Sequence, residues 1–194
     1  MDMGLREANR QRVQNEVRSQ ALALFVEHGF EATTVEQIAA AADISPATFY
    51  RHFRGKEDVL FHEGYDPFLE QTFAARPADE PLARTVRTVY EEFAARLLAA
   101  DHATLLLRHR LMSSVPALRD RLAREERTNL DQLVKLLADR VDRSPDDFEV
   151  RLAAAAVNTA FAQAAQHWLE GDCAPDLPAL VGLAMDRIKG ALEL

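Results

Sequence analysis

Two helix starts stand eleven residues apart near the front of the chain, at Thr34 and Ser45. Thr34-Val-Glu-Gln37 has the spacing of a capping box, in which the threonine hydroxyl serves the amide of Gln37 and the glutamine side chain reaches back. Ser45-Pro46 is a second start, with a serine cap and a proline where no N–H is needed. The stretch between, ending in AAAADI, leaves room for only about two helical turns. Helices that short do not persist alone in water. A third helix must back them, and residues 9–28 supply it: Val13, Val17, Ala21, Leu24 and Phe25 fall on one face at helical spacing. Gly29 ends that helix, and Phe30 can fold back onto Phe25 as the apolar contact of a Schellman cap.

Three small helices in this order form a helix-turn-helix head. Ala39, Ala41 and Ala42 let the second and third helices cross closely. Ile38 faces inward with them. On SPATFYRHF (45–53), Phe49 and Phe53 are four apart and face the core, which leaves Ala47, Thr48, Tyr50, Arg51 and His52 outward or on the flanks. Small residues at a helix start followed by Tyr, Arg and His suit the major groove. The first approach base edges, and the others reach phosphates and bases. Lys56 and the helix starts at Thr34 and Lys56 add phosphate donors. Arg6, Arg10 and Arg12 are placed to form a basic N-terminal arm.

Beyond this head the sequence predicts only helices: one from Lys56 to about Ala75 that Pro67 kinks or interrupts, then about 81–100, 103–112, 116–141, 148–170 and a last one ending near Leu192. No strand pattern, repeat or low-complexity tail interrupts them. The fold class is therefore all-α, with about nine helices. With 194 residues, 48% of them hydrophobic and 28% charged, the chain can bury a substantial core. A head of about 1–56 and a body of 57–194 are expected. Through Lys56 the charges balance, seven basic against seven acidic, so the body carries the whole net charge of −8. The single cysteine, Cys173, allows no internal disulfide, and the first residues lack the apolar stretch of a signal peptide. No apolar run approaches the roughly 20 residues of a membrane span. A cytoplasmic protein away from membranes is expected.

The segment GFEATTVEQIAAAADISPATFYRHFRGKEDVL (29–60) resembles the DNA-binding head of the TetR family of transcriptional regulators. Gly29, Phe30, Thr33, Thr34, Ile38, Ala39, Ser45, Thr48, Tyr50, His52, Phe53, Lys56 and Leu60 match its pattern. Asp43 departs from the usual turn glycine, and Gly55 from a capping Ser or Asn. The resemblance implies DNA contacts at Thr34, Ser45, Pro46, Ala47, Thr48, Tyr50, His52 and Lys56, with Pro46, Ala47 and Tyr50 nearest bases. Arg51 joins them as a residue of open role. The body resembles the family's divergent second domain, and EGYDPFLEQTFAARPADEP is similar to the subgroup that includes regulators of the mycofactocin system, some of which sense acyl-CoA thioesters. The resemblance implies a double-stranded operator, a small-molecule effector and a homodimer as partners, with no cofactor.

For the dimer face the stripe Val157, Phe161, Ala164 and Trp168 with Leu180, Ala184 and Ile188 is expected, though the same stripe would serve as the chain's own core. An effector site could draw on Phe68, Tyr90, Phe93, Leu97, Leu133 and Phe161, with Met112 and the polar Arg87, Arg108, His109, Asn158 and Gln163; core packing is the competing role for each aromatic. An α-helical enzyme is the rival class. His102 and His109 are seven apart, roughly 10 Å along a helix, too far for one metal. HExxH, GxSxG and phosphate-cradling glycine loops are missing from the sequence. An adaptor with an inert head is a third reading. Repression is expected over activation, although the sequence does not fix the sign.

Overall fold

The computed structural model describes residues 2–61, 67–99, 102–171 and 176–194, with the side chains of 2–8, 67, 102–105, 108, 113, 117 and 120 outside that description. Among the described residues there are nine α-helices and two short 3-10 turns. They form two compact units, residues 1–63 with 107–119, and residues 64–106 with 120–194. The first unit thus extends past residue 56 and takes in a segment from far along the chain.

The head contains α1 (Asp2–His28), α2 (Val35–Ala41), α3 (Pro46–His52) and a 3-10 turn at Lys56–Leu60. Helix α1 starts seven residues before the expected Asn9, so the expected basic arm is helical; Arg10 and Arg12 are exposed on it, and the side chain of Arg6 lies outside the described residues. Gly29 ends α1 with φ +83. Its amide donates to the Phe25 carbonyl, and the Phe25 and Phe30 rings pack with centroids 5.0 Å apart. Both halves of the capping box are present: Gln37 N donates to Thr34 Oγ1 at 3.2 Å and Thr34 N to Gln37 Oε1 at 2.8 Å. Ile38, Ala39, Ala42 and Phe49 are buried at the centre. Ala41 is exposed instead, while Ala39 and Ala42 are buried. The turn bends at Asp43, which takes φ +52 where a glycine was the usual choice.

The long helix expected from Lys56 to Ala75 does not form. The 3-10 turn buries Val59 and Leu60, and Phe61, also buried, leaves it in extended backbone with φ −110 and ψ 152. Helix α4 is described from Pro67 to Ala75.

The rest of the chain forms α5 (Leu82–Leu98), α6 (His102–Ser114), α7 (Pro116–Val141), α8 (Phe148–Glu170), α9 (Leu177–Arg187) and a closing 3-10 turn at Lys189–Leu192. In the body, α5 packs against α4 and α9, and α8 against α9. Val86, Val89, Leu133, Leu137, Val150, Val157 and Val181 sit in one apolar cluster. Helices α5 and α9 approach closely at Gly182, where a Cβ would run into the Glu91 carboxylate. Arg87 ties the crossing, bonding Glu91 at 2.9 Å and Asp186 at 2.7 and 2.8 Å. It thus bridges the two helices. Those carboxylates, Glu91 first, raise its pKa.

Candidate nucleic-acid interface and effector region

The outward face of α3 follows from one buried ring. Phe49 is fully buried, packed on Phe53 at 5.3 Å between centroids. Helical geometry then turns Ala47 and Arg51 to the opposite side and Tyr50 to the flank; with Pro46 at the helix start, all four are exposed. Tyr50 keeps 55% of its surface and stands edge-on to Phe49 at 5.6 Å. His52 is half-buried.

Hydroxyls fix this face. Ser45 Oγ accepts from the Thr48 amide at 3.1 Å and lies 3.0 Å from Thr48 Oγ1. Arg51 Nη2 donates to Thr48 Oγ1 at 3.4 Å, so Ser45, Thr48 and Arg51 form a chain along one edge of the helix. The exposed Thr34 hydroxyl accepts from Gln37 but keeps its own proton to donate to an anion.

Lys56 has other work. Its ammonium donates to three main-chain carbonyls, of Phe30 at 2.6 Å, Thr33 at 3.0 Å and Glu31 at 3.2 Å. It also stands 4.5 Å from the centre of the Phe30 ring. An ammonium has three protons, so the expected phosphate contact at Lys56 would have to break a bond that pins the turn before α2. The half-buried lysine is first a clamp on that turn. Sequence reasoning missed this because a lysine in a basic, DNA-facing segment reads as a phosphate contact whichever way it points. Two further supports were missed. Thr33, 1% exposed, returns its hydroxyl to the carbonyls of Gly29 at 2.8 Å and Leu24 at 3.3 Å. The buried Asp58 carboxylate accepts from the Arg54 amide at 2.8 Å.

In the body, four of the aromatics expected near an effector form a chain. Phe68 lies 6.3 Å from Phe93, Phe93 is 5.5 Å from Phe161, and Phe161 is 5.2 Å from Tyr90. Arg96 stands over Phe68 at 5.0 Å. Phe68, Phe93, Phe161, Leu97 and Asn158 are half-buried. Tyr90 and Leu133 are core residues at 4% and 1% exposure. Gln163 is exposed, His109 and Met112 belong to the first compact unit, and the side chain of Arg108 lies outside the described residues.

Val157, Ala164 and Trp168 are buried in the body's own core, while Phe161, Leu180, Ala184 and Ile188 are half-buried against it. The stripe expected for a dimer is mainly the chain's own packing. The large exposed apolar residues of these helices lie elsewhere, at Phe148 and Leu152 on α8 and Leu183 on α9.

Comparison with known proteins agrees with this geometry. Residues 17–62 match the family model for bacterial regulatory proteins of the tetR family, and residues 80–193 match the MftR C-terminal domain. The HTH-type transcriptional regulator TcmR of Streptomyces glaucescens is 31% identical over 187 residues, covering 91% of this chain and 81% of that protein. The chain belongs to the TetR family of transcriptional regulators. The TetR fold recurs in solved structures: the fatty acid degradation regulator FadR from Bacillus halodurans superposes with a TM-score of 0.64 at 24% identity, over 92% of this chain and 99% of that one. FadR of Thermus thermophilus, a repressor solved with lauroyl-CoA, does so with 0.61 at 19% identity, over 93% and 95%. This TetR-family chain is thus a DNA-binding transcriptional regulator rather than an enzyme. Among its described residues no helix is long and apolar enough to cross a membrane.

Proposed function

We propose that this TetR-family regulator is a cytoplasmic repressor that holds a pseudo-palindromic operator as a homodimer and releases it when a hydrophobic, acyl-type effector enters the body. One observation carries the DNA half of this reading: the exposed arc of Pro46, Ala47, Tyr50 and Arg51 on a helix anchored by the buried Phe49. Ala47 suits a thymine methyl, Arg51 a guanine edge, and Tyr50 a base or phosphate. Thr34, Ser45, Thr48 and His52 flank this arc and complete the proposed contacts. Lys56 enters the reading through the turn that it clamps.

For the dimer, Leu152 and Leu183 are apolar, about half exposed, and lie on two helices that pack together. The small exposed Thr159 and Ala162 lie on the Leu152 side of α8. A twofold pairing through this face would set two recognition helices on two half-sites. For the effector, support comes from the half-buried chain of Phe68, Phe93 and Phe161 and from the lauroyl-CoA bound by the Thermus relative. Effector and operator oppose each other only if the effector binds the two dimer geometries with different affinity.

The test is binding to DNA from upstream of the protein's own gene, wild type beside Tyr50→Ala. Tight binding by the wild type and loss in a variant that keeps its helical content and melting temperature is expected. Unfolding of Tyr50→Ala would mean that this ring supports the core rather than the operator.

A further inference from the structure

We propose that α7 supplies the polar wall of the effector site, with the Asn129 and Gln132 carboxamides as acceptors for an effector that brings its own N–H or O–H donors. The inference rests on the effector reading above and narrows it to a chemical class.

On α7, Leu122, Leu133, Leu136 and Leu137 turn inward, and Leu133 and Leu137 are buried in the body core. Asn129 lies seven residues after Leu122 and four before Leu133, so helical spacing sets it at the middle of that apolar face. Periodicity alone asks for leucine there. Gln132 flanks it on the next turn. Asn129 Oδ1 and Gln132 Oε1 are both buried, and neither has a hydrogen-bond partner among the described residues. A buried acceptor without a donor is costly, and such groups concentrate where a ligand completes them. Two on neighbouring turns of one helix are more than packing explains. The same side of α7 continues towards its start with the half-buried pair Arg121 and Glu125, 3.1 Å apart.

The placement also favours a ligand role. Leu133 shares its apolar cluster with Tyr90, and Phe93 and Phe161 pack against that cluster. Asn129 therefore lies one helical turn from Leu133, a member of that cluster. Three residues of helix separate the two carboxamides by about 4.5 Å along the axis, which one molecule can span. A carboxylate or bare hydrocarbon chain offers no proton at neutral pH. Amides and hydroxyls, such as those of a pantetheine arm, do.

The test uses near-isosteric variants, Asn129→Leu and Gln132→Met, of the full chain, with lauroyl-CoA and laurate at pH 8 as probes. Each substitution removes a buried unpaired acceptor, so each should raise the melting temperature of the ligand-free protein. Each should also weaken lauroyl-CoA binding by roughly three- to tenfold and leave laurate unchanged. More stable yet weaker-binding variants are not what a packing role produces. A fall in melting temperature in both variants would overturn the inference. So would unchanged lauroyl-CoA affinity in variants of a wild type that binds it. If the wild type binds neither probe, the acyl reading fails on its own, and the direction of the melting shift then supports or overturns the carboxamide assignment.

Discussion

Head and body each use one cation to hold the turn that leads into a helix, and they do so differently. In the head, Lys56 donates to the carbonyls of Phe30, Glu31 and Thr33, just before α2. In the body, Arg140 on α7 reaches the carbonyls of Arg76, Pro77 and Glu80 and the Thr85 hydroxyl, around the start of α5. Lysine serves three acceptors converging on one point. Arginine's planar fork serves acceptors spread along a loop. The head clamp spans 23 to 26 residues of sequence and the body clamp 55 to 64. The head is therefore specified by residues close together in the chain, whereas the body turn depends on a helix that returns much later.

The largest effects should come from removing the clamps. Arg140→Met strands the carbonyls of Arg76, Pro77 and Glu80 and should cost about 2–3 kcal/mol in chemical denaturation. Lys56→Met should cost about as much, through three charge-assisted bonds and a cation–π contact. The swaps Arg140→Lys and Lys56→Arg should each recover only part of the loss, because neither head group fits the other's acceptors. Full recovery by both would show that charge alone matters and would erase the distinction.

Operator binding sharpens the same contrast. If Lys56 clamps a turn, Lys56→Met weakens binding while the slope of log K against log salt stays as in the wild type. A lysine on a phosphate would instead lower that slope by about 0.9. Titration against potassium chloride, at temperatures where both proteins are folded, reads the difference.

The turn held by Arg140 also ties stability to acid pH. Glu80 is held down to about 2, first by the hydrogen bond from Arg76, then by Thr85 and by the charges of Arg76 and Arg84, with burial opposing. The folded value lies below the ordinary 4.5, so the folded state binds fewer protons there than the unfolded chain. The linked stability is complete above pH of about 4.5 and is lost as pH falls towards 2. Glu80→Gln should flatten this part of the acid-unfolding profile. An identical acid limb in wild type and variant would remove Glu80 from it.

The head was legible because its signals are local. A capping box, a serine cap with proline, and aromatics four apart each act within one or two turns, and all three hold in the structure. What escaped there was direction: nothing local says that Lys56 bends back to Phe30 rather than outward. In the body, helix positions were legible from prolines and polar breaks, but facing was not. Val157 and Trp168 form a stripe at helical spacing whether they meet a partner or the chain's own α9. Asn129 and Gln132 passed unnoticed because, in a helix as charged as α7, two carboxamides look like solvated residues; only their buried oxygens separate them. Arg140 was invisible for the same reason, its acceptors lying 55 residues or more away.

The smallest expected effect lies in the head's turn. Asp43 has φ +52 and Gly29 φ +83, so two neighbouring reversals use the same left-handed backbone with different residues. Nothing lies within 4 Å of where a Gly29 Cβ would sit, so Gly29→Ala is opposed by backbone conformation alone and should cost about 1 kcal/mol. At Asp43 the reverse change sets two terms against each other. Asp43→Gly relieves the left-handed strain, which is small for aspartate, and adds freedom to the unfolded chain, which costs about 0.5–1 kcal/mol. The net should lie within about 0.5 kcal/mol of zero, with the Ile44 amide still on the Ala39 carbonyl. Asp43→Val, with a branched side chain in the same conformation, should cost about 1–2 kcal/mol. A gain above about 1 kcal/mol in Asp43→Gly would mean that the wild-type turn is strained, and that the head, like the carboxamide strip of α7, gives up stability at a position chosen for something other than folding.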